Sequence, residues 1–280
     1  MQTLGLFETD HISVLDIGSS NLYSASAEGV QRFLSARGVA TTPQIIAFSE
    51  KLEKGSSYDP VSGGLNGAFV GELLEKAGMQ YHAIDIADGY RTTILDLNHQ
   101  PTPPKFINAF DLVLNFGTTE HLLNQYNAFK VIHDSTKVGG YIVHALPCIG
   151  FLDHGYLTYT PRCMFDLAGY NKYEVVGFWY SDPSGNNDPY APIKNYITYF
   201  PSLANTFTDQ DQKDIAQKLA QLNLPDIGLM VIYRKVKNRP FAGALERSTS
   251  VGLVPSSVTA VYESVLARST RSFIRKLFSR

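Results

Sequence analysis

Seven short apolar runs, each bounded by glycine, aspartate or asparagine, recur along this chain, and their alternation with helix-like stretches constrains the fold more than any other feature. The candidate strands are 12–17 (ISVLDI), 81–85 (YHAID), 93–97, 111–116 (DLVLNF), 141–146, 174–180 and 228–235. Between them, 67–77 (GAFVGELLEKA) and 119–137 carry apolar residues at helical spacing, and Gly139-Gly140 predicts a helix stop before the fifth strand. Strands that alternate with helices in this way predict an α/β fold built on a mainly parallel sheet. Two stretches exceed what seven strands need and read as insertions, 40–66 and 181–226. The second contains an aromatic-rich loop over 190–200 and then TDQDQKDIAQKLAQLN, which reads as a solvated helix with Thr208 as its N-cap. Insertions on such a scaffold commonly shape a substrate pocket.

The chain has 280 residues, 44% of them hydrophobic and 18% charged, so it can bury a sizeable core. A formal net charge of -2 supplies no basic field of the kind that non-specific nucleic-acid binding uses, and nucleic acid is not an expected partner. Two cysteines, Cys148 and Cys163, are too few for a disulfide framework or a zinc site and fit a reducing, cytoplasmic setting. Glu8 and Asp10 stand where a signal peptide needs a basic start and an apolar core, and no later stretch approaches membrane-spanning length. The end of the chain, 256–280, reads as a basic amphipathic helix. Arg268, Arg271, Arg275, Lys276 and Arg280 flank Phe273, Ile274, Leu277 and Phe278. Such a helix either packs on its own domain or lies peripherally on the inner face of an anionic membrane or on a partner.

Three acids close strands. VLDIGSSN, 14–21, places Asp16 near the end of the first strand and Gly18 in the following turn, where backbone can approach a ligand closely. Asp85, in YHAIDIADG, ends the second strand, where a carboxylate can accept from the vicinal hydroxyls of a ribose, as in NAD and SAM (S-adenosylmethionine) sites alike. Asp96, in ILDLN, can accept from an adenine amino group or simply form a turn.

The most specific stretch is FDLVLNFGTTEHLLNQYNAFKVIHDSTKVGGYIVHALP, 110–147. FDLVLNFGTTEHL followed by a helix, a double glycine and a new strand resembles motifs four and five of the class I SAM-dependent methyltransferases. The resemblance runs from Val14 to about Tyr180, with a seventh strand near 229–233. It is strongest to a subgroup with an insertion between the first and second strands and the words NFGTTEH and NAFKVIHD, whose acceptors are mostly unassigned. The resemblance implies a Rossmann-like, seven-stranded, mostly parallel sheet with helices on both faces and the seventh strand antiparallel. The SAM-binding domain would span 1–236, followed by a C-terminal extension over 237–280. It further implies that Asp16, Gly18 and Ser19 hold the methionine part of SAM, Asp85 and Ile86 the ribose, and Asp96 with Leu97 the adenine. Asn115 and Phe116 would line the cofactor beside the methyl group. The chain departs from the family pattern in two places: the turn reads GSS instead of GxG, and Asp85 comes far later than about 20 residues on, a delay that the 40–66 insertion accounts for.

The activity this implies is methyl transfer to a small-molecule or saccharide-type acceptor, with a hydroxyl oxygen as the expected atom. A hydroxyl must lose its proton at or before transfer, and histidine is the side chain best suited to that near neutral pH. His154, His144 and His121 are the candidates, His154 first, because the fifth strand and the loop after it end at the ligand crevice of an open α/β sheet. A hydrogen-bonded structural histidine is the commoner use of each. Glu120, His121, Asp153 and His154 lack a recognised ligand spacing, so no metal is expected. Tyr156, Tyr159 and the 190–200 aromatics can form an acceptor wall or belong to the core. The alternatives are an NAD-dependent oxidoreductase or epimerase, disfavoured because GxGxxG is missing, and an inactive scaffold that keeps the fold to bind a partner.

Overall fold

The computed structural model describes residues 11–57, 67–151, 154–181 and 226–243. The second insertion with its Thr208 cap, the 190–200 aromatics, Asp153 and the basic C-terminal stretch lie outside the described residues.

The apolar runs do form strands: β1 (Ser13–Ile17), β2 (Gln80–Asp85), β3 (Thr92–Ile94), β4 (Phe110–Phe116), β5 (Thr136–Ile149), β6 (Glu174–Ser181) and β7 (Ile227–Arg234). They build one sheet in the order β3-β2-β1-β4-β5-β7-β6. β1, β2, β3, β4 and β5 pair in parallel, whereas β7 runs antiparallel to both β5 and β6. This is the Rossmann-like, mostly parallel sheet with an antiparallel seventh strand.

Side-chain alternation along the strands makes two cores. Leu15, Ile17, Val113 and Ile142 point to one face, where they meet Phe129, Val131 and Ile132 of α4 (Gln125–Ser135) and Met164, Leu167 and Ala168 of α5 (Pro161–Asn171). Val14, Leu112, Leu114 and Val143 point to the other, against Leu74 of α3 (Val70–Lys76) and Phe33 of α1 (Ala27–Ala36). Helices therefore cover both faces. α2 (Pro43–Gly55) lies within the 40–66 stretch and packs Ile45 and Leu52 against Val30 and Leu34 of α1. Both helices carry side-chain N-caps: Ser26 accepts from the Gly29 amide, and Thr42 accepts from Ile45 with Pro43 in the first turn.

Three boundaries differ from expectation. β3 stops at Ile94, so Asp96 and Leu97 lie in the turn beyond it, although the Leu95 amide still donates to the Asp85 carbonyl. The helix expected over 119–137 opens as a 3-10 turn at Thr119–His121, and α4 starts only at Gln125, capped by the Asn124 side chain on the Asn127 amide. Gly139 and Gly140 are no helix stop. α4 passes into β5 at Thr136, and a Cβ on Gly140 would stand 3.0 Å from the Asp111 carbonyl oxygen, so glycine is needed for the close passage of β5 past β4.

Just past β7, Lys235 is buried to 2% exposure. Its ammonium donates to the carbonyl oxygens of His133 (2.7 Å) and Thr136 (2.8 Å) and to Asn108 Oδ1 (3.2 Å). Burial lowers its pKa to about 8, which still leaves it charged at neutral pH, at the C-terminus of α4 where a cation is favoured. Lys235→Met keeps the volume but strands those acceptors. It should lower the unfolding free energy by about 3 kcal/mol in urea denaturation, whereas a loss below about 1 kcal/mol would show that water replaces the ammonium.

Candidate functional site

The strand order reverses between β1 and β4, and at such a switch point the chains leave the sheet in opposite directions and open a crevice at the carboxyl ends of the strands. A cleft of about 610 Å³ lies there, within the range of small-molecule sites. One wall is the turn after β1, Gly18 to Asn21. Another is the end of β2 and its loop, with Asp85, Asp88 and Gly89. Phe116, Gly117 and Thr118 close it from β4, and Phe69 and Tyr23 add apolar surface.

The β1 turn is held by a buried carboxylate. Asp16 is fully enclosed, and its oxygens accept from the Ser20 amide (2.9 Å), the Ser20 hydroxyl (3.0 Å) and the Tyr81 hydroxyl (2.7 Å). Burial raises its pKa, and these hydrogen bonds oppose the rise. Gly18 has φ +109°, and a Cβ there would lie 2.0 Å from Thr118 Oγ1, which itself donates to the Ile17 carbonyl (2.6 Å). Only glycine admits both the angle and the contact. Ser19 takes φ +43°, an uncommon left-handed conformation for a side-chain-bearing residue, at the second position of the turn.

Gly18, Ser19, Asp85 and Phe116 thus meet around the cleft. Asp85 keeps one carboxylate oxygen on the Ala87 amide (3.0 Å). Asp16 sits behind the turn and supports it. Ile86 is exposed outside the lining. Leu97 is a core residue. Asp96 lies outside the lining too, its oxygens accepting from the Asn98 amide (2.8 Å) and pairing with His99 Nδ1 (2.7 Å). Those bonds, His99 first, hold its pKa below the ordinary value. Asn115 is buried, donating to Thr119 Oγ1 (2.9 Å) and His144 Nδ1 (3.0 Å).

The three histidines part company. His144 is enclosed between the rings of Phe129 and Tyr233, and burial pushes its pKa down to about 3. With Asn115 donating to Nδ1, the neutral ring carries its proton on Nε2. It is a core histidine that does not reach the cleft. His121 and His154 are exposed and stack edge to face, ring centroids 4.9 Å apart. Beside His154, and next to Gly117 of the cleft wall, lies Glu120, only 1% exposed, whose carboxylate burial pushes to a higher pKa. The loop after β5 folds over it: the amides of Tyr156 (2.8 Å) and Leu157 (3.2 Å) donate to the Glu120 carbonyl. Tyr159 is core, hydrogen-bonded to Thr119 Oγ1 (3.0 Å) and Gln125 Oε1 (2.7 Å), and Tyr156 is exposed.

Sequence reasoning missed Asn21, Tyr23, Phe69, Asp88 and Thr118 as cleft residues. The Asp88-Gly89 pair after β2 carried a turn signal that placed it. Phe69 has no such signal, since it reaches the cleft only through the fold of the chain before α3.

The His144 environment fixes a pH response. The folded pKa lies below that of an unfolded histidine, so its contribution to stability is complete above about pH 6.5 and is lost as the pH falls toward 3. In an NMR titration of the imidazole carbons, His144 should show no protonation midpoint above about pH 4 while the protein stays folded. A midpoint near 6 would mean that the ring reaches water.

Neither a protein-family model nor a curated protein matches the sequence. Among solved structures, the chain is similar to a SAM-dependent methyltransferase from Archaeoglobus fulgidus, at 14% identity over 84% of this chain and 90% of that one, with a TM-score of 0.41. It is similar as well to 1,6-didemethyltoxoflavin-N1-methyltransferase of Burkholderia thailandensis, solved with 1,6-didemethyltoxoflavin and S-adenosylhomocysteine (10% identity, 84% and 76% covered, TM-score 0.40). A third is a SAM-dependent methyltransferase from Methanosarcina mazei (10% identity, 85% and 99% covered, TM-score 0.37).

Proposed function

We propose that the chain is a SAM-dependent methyltransferase acting on an oxygen of a small-molecule or saccharide-type acceptor. The observation that carries this reading is the pairing, across one cleft at the switch point, of a close-approach turn at Gly18 with a carboxylate at Asp85. The cleft suits SAM: a backbone turn for the amino-acid end, a carboxylate for vicinal hydroxyls and an aromatic edge at Phe116. The sulfonium brings an already activated methyl group, so the protein's task is to align the acceptor and exclude water.

Gly18 lets the backbone approach without a side chain in the way, and the bonds that Ser20 donates to Asp16 keep the turn in that shape. Asp85 is held by the Ala87 amide in a pose that can receive two hydroxyls of a ribose. Phe116 and Gly117 stand at the end of β4, the side from which an acceptor reaches the methyl group. Of the histidines weighed as bases, His154 and His121 stand at this end of the sheet, beside Glu120, which adjoins Gly117. An NAD reading is served less well, because Ser20 and Tyr23 stand where a GxGxxG turn that begins at Gly18 has the glycines that let a pyrophosphate approach.

Calorimetric titration with SAM and S-adenosylhomocysteine should give saturable binding, weakened at least about tenfold by Asp85→Ala, roughly 1.4 kcal/mol or more. Gly18→Ala should abolish it, since the turn must move to relieve the Thr118 contact. Folded protein that binds NAD in preference overturns the cofactor, and one that binds no adenosyl ligand leaves the scaffold reading.

A further inference from the structure

Glu120, His121 and His154, which have no recognised ligand spacing in the sequence, come from two segments, the turn after β4 and the loop after β5. One ligand atom from each lies within 4.8 Å of the others, and no other such group occurs among the described residues. Glu120 Oε1 stands 3.7 Å from His154 Nε2. Oε2 is buried and has no hydrogen-bond partner among the described residues. An unsatisfied buried carboxylate oxygen is costly and calls for a partner. A water can supply a hydrogen bond, but two imidazoles beside that carboxylate supply the donor set of a cation.

The surroundings hold the carboxylate there. A Cβ on Gly155 would lie 2.9 Å from Glu120 Cγ, so glycine is what allows the loop to close over Glu120 and carry His154 to it. Toward the cleft, Glu120 Oε1 is 3.2 Å from the position of a Cβ on Gly117, a residue of the cleft wall.

We propose that Glu120, His121 and His154 form a divalent transition-metal site beside the cleft, suited to zinc or a neighbouring first-row ion, with open positions for an oxygen of the acceptor. Two imidazoles and one carboxylate select such ions over magnesium and calcium, which prefer all-oxygen shells. Donor atoms around zinc stand roughly 3.3 Å apart, so the cluster closes by about an ångström or more, a movement open to the His154 side chain, which is 52% exposed. Three protein ligands leave room for a water or hydroxyl oxygen, whose proton the cation makes easier to lose. His154 is then a ligand and not a base. This use of the cation rests on the methyl-transfer reading; the binding site does not.

Untagged full-length protein, stripped with chelator, is titrated with cobalt(II) and followed by visible absorption, with zinc as competitor and S-adenosylhomocysteine titrated separately. One cobalt per chain, displaced by zinc and bound at least about tenfold more weakly by His121→Ala and by His154→Ala, is the expected result. Both side chains are exposed, so these variants should fold, which circular dichroism checks; Glu120→Gln should weaken binding in the same way. Cobalt that stays hexaaqua, or binds both histidine variants as it binds the parent, overturns the site. Cobalt binding without S-adenosylhomocysteine binding keeps the site and removes the methyl-transfer reading, and the reverse pattern overturns the site alone.

Discussion

The Asp16 carboxylate is the fastening on which the ligand end of this sheet depends. It occupies a buried position on a strand whose neighbouring side chains, Val14, Leu15 and Ile17, are fully buried and apolar. A carboxyl group is tolerated there because three donors converge on it, two from Ser20 and one from Tyr81. Those donors bind together the turn after β1, the strand β1 and its neighbour β2. The dependence runs further back: Tyr81 reaches Asp16 past α3, where a Cβ on Gly71 would stand 2.3 Å from the Tyr81 ring. A small residue in a helix thus permits a tyrosine, the tyrosine satisfies an acid, and the acid fixes a turn in which Gly18 and Ser19 both hold positive φ. Local conformations unfavourable on their own persist because the surroundings over-determine them.

How much of this the sequence discloses follows from which forces act along the chain and which act across it. Strands covered by helices on both faces are apolar over most of their length, so β1, β4 and β7 stand out as apolar runs despite Asp16 and Asn115. β3 is an edge strand of three residues, Thr92–Ile94, with no buried face of its own, and the apolar residues that extend its pattern, Leu95 and Leu97, are buried in the following turn. α1 and α5 carry ordinary start signals, Ser26 before AEGV and Thr160-Pro161 before the second. The Gly139-Gly140 pair misleads because glycine marks both helix ends and close passages of backbone, and only the neighbour's position tells the two apart.

The same division applies to the site. Residues at strand ends are visible from the pattern, and Gly18, Ser19, Asp85 and Phe116 meet at one cleft. Which way a side chain turns at a strand end is set by the pleat, and there Asn115 turns inward to Thr119 and His144. Glu120-His121 reads as the polar start of a surface helix. Its burial comes from a loop some 35 residues later, whose glycine at 155 lets it lie on the Glu120 side chain. No spacing rule shows a pair assembled in that way.

Polar groups at the two edges of the sheet do different work. At the edge where β1, β4 and β5 begin, Asp111 accepts from the Ser13 amide (2.9 Å) and hydroxyl (2.6 Å) and pairs with Lys137 (2.9 Å). Lys235 closes the end of α4 on the same edge. These groups have their partners within the fold and join neighbouring strands, so their energy goes to stability. At the opposite end the chain leaves neighbouring parallel strands in separate directions, and a cleft opens between the turns even though Thr118 still donates to the Ile17 carbonyl. Gly18 and Asp85 are left in the wall of that cleft, and Glu120 lies behind its Gly117 wall. The strand order that makes the core possible also decides which polar side chains remain available for a ligand.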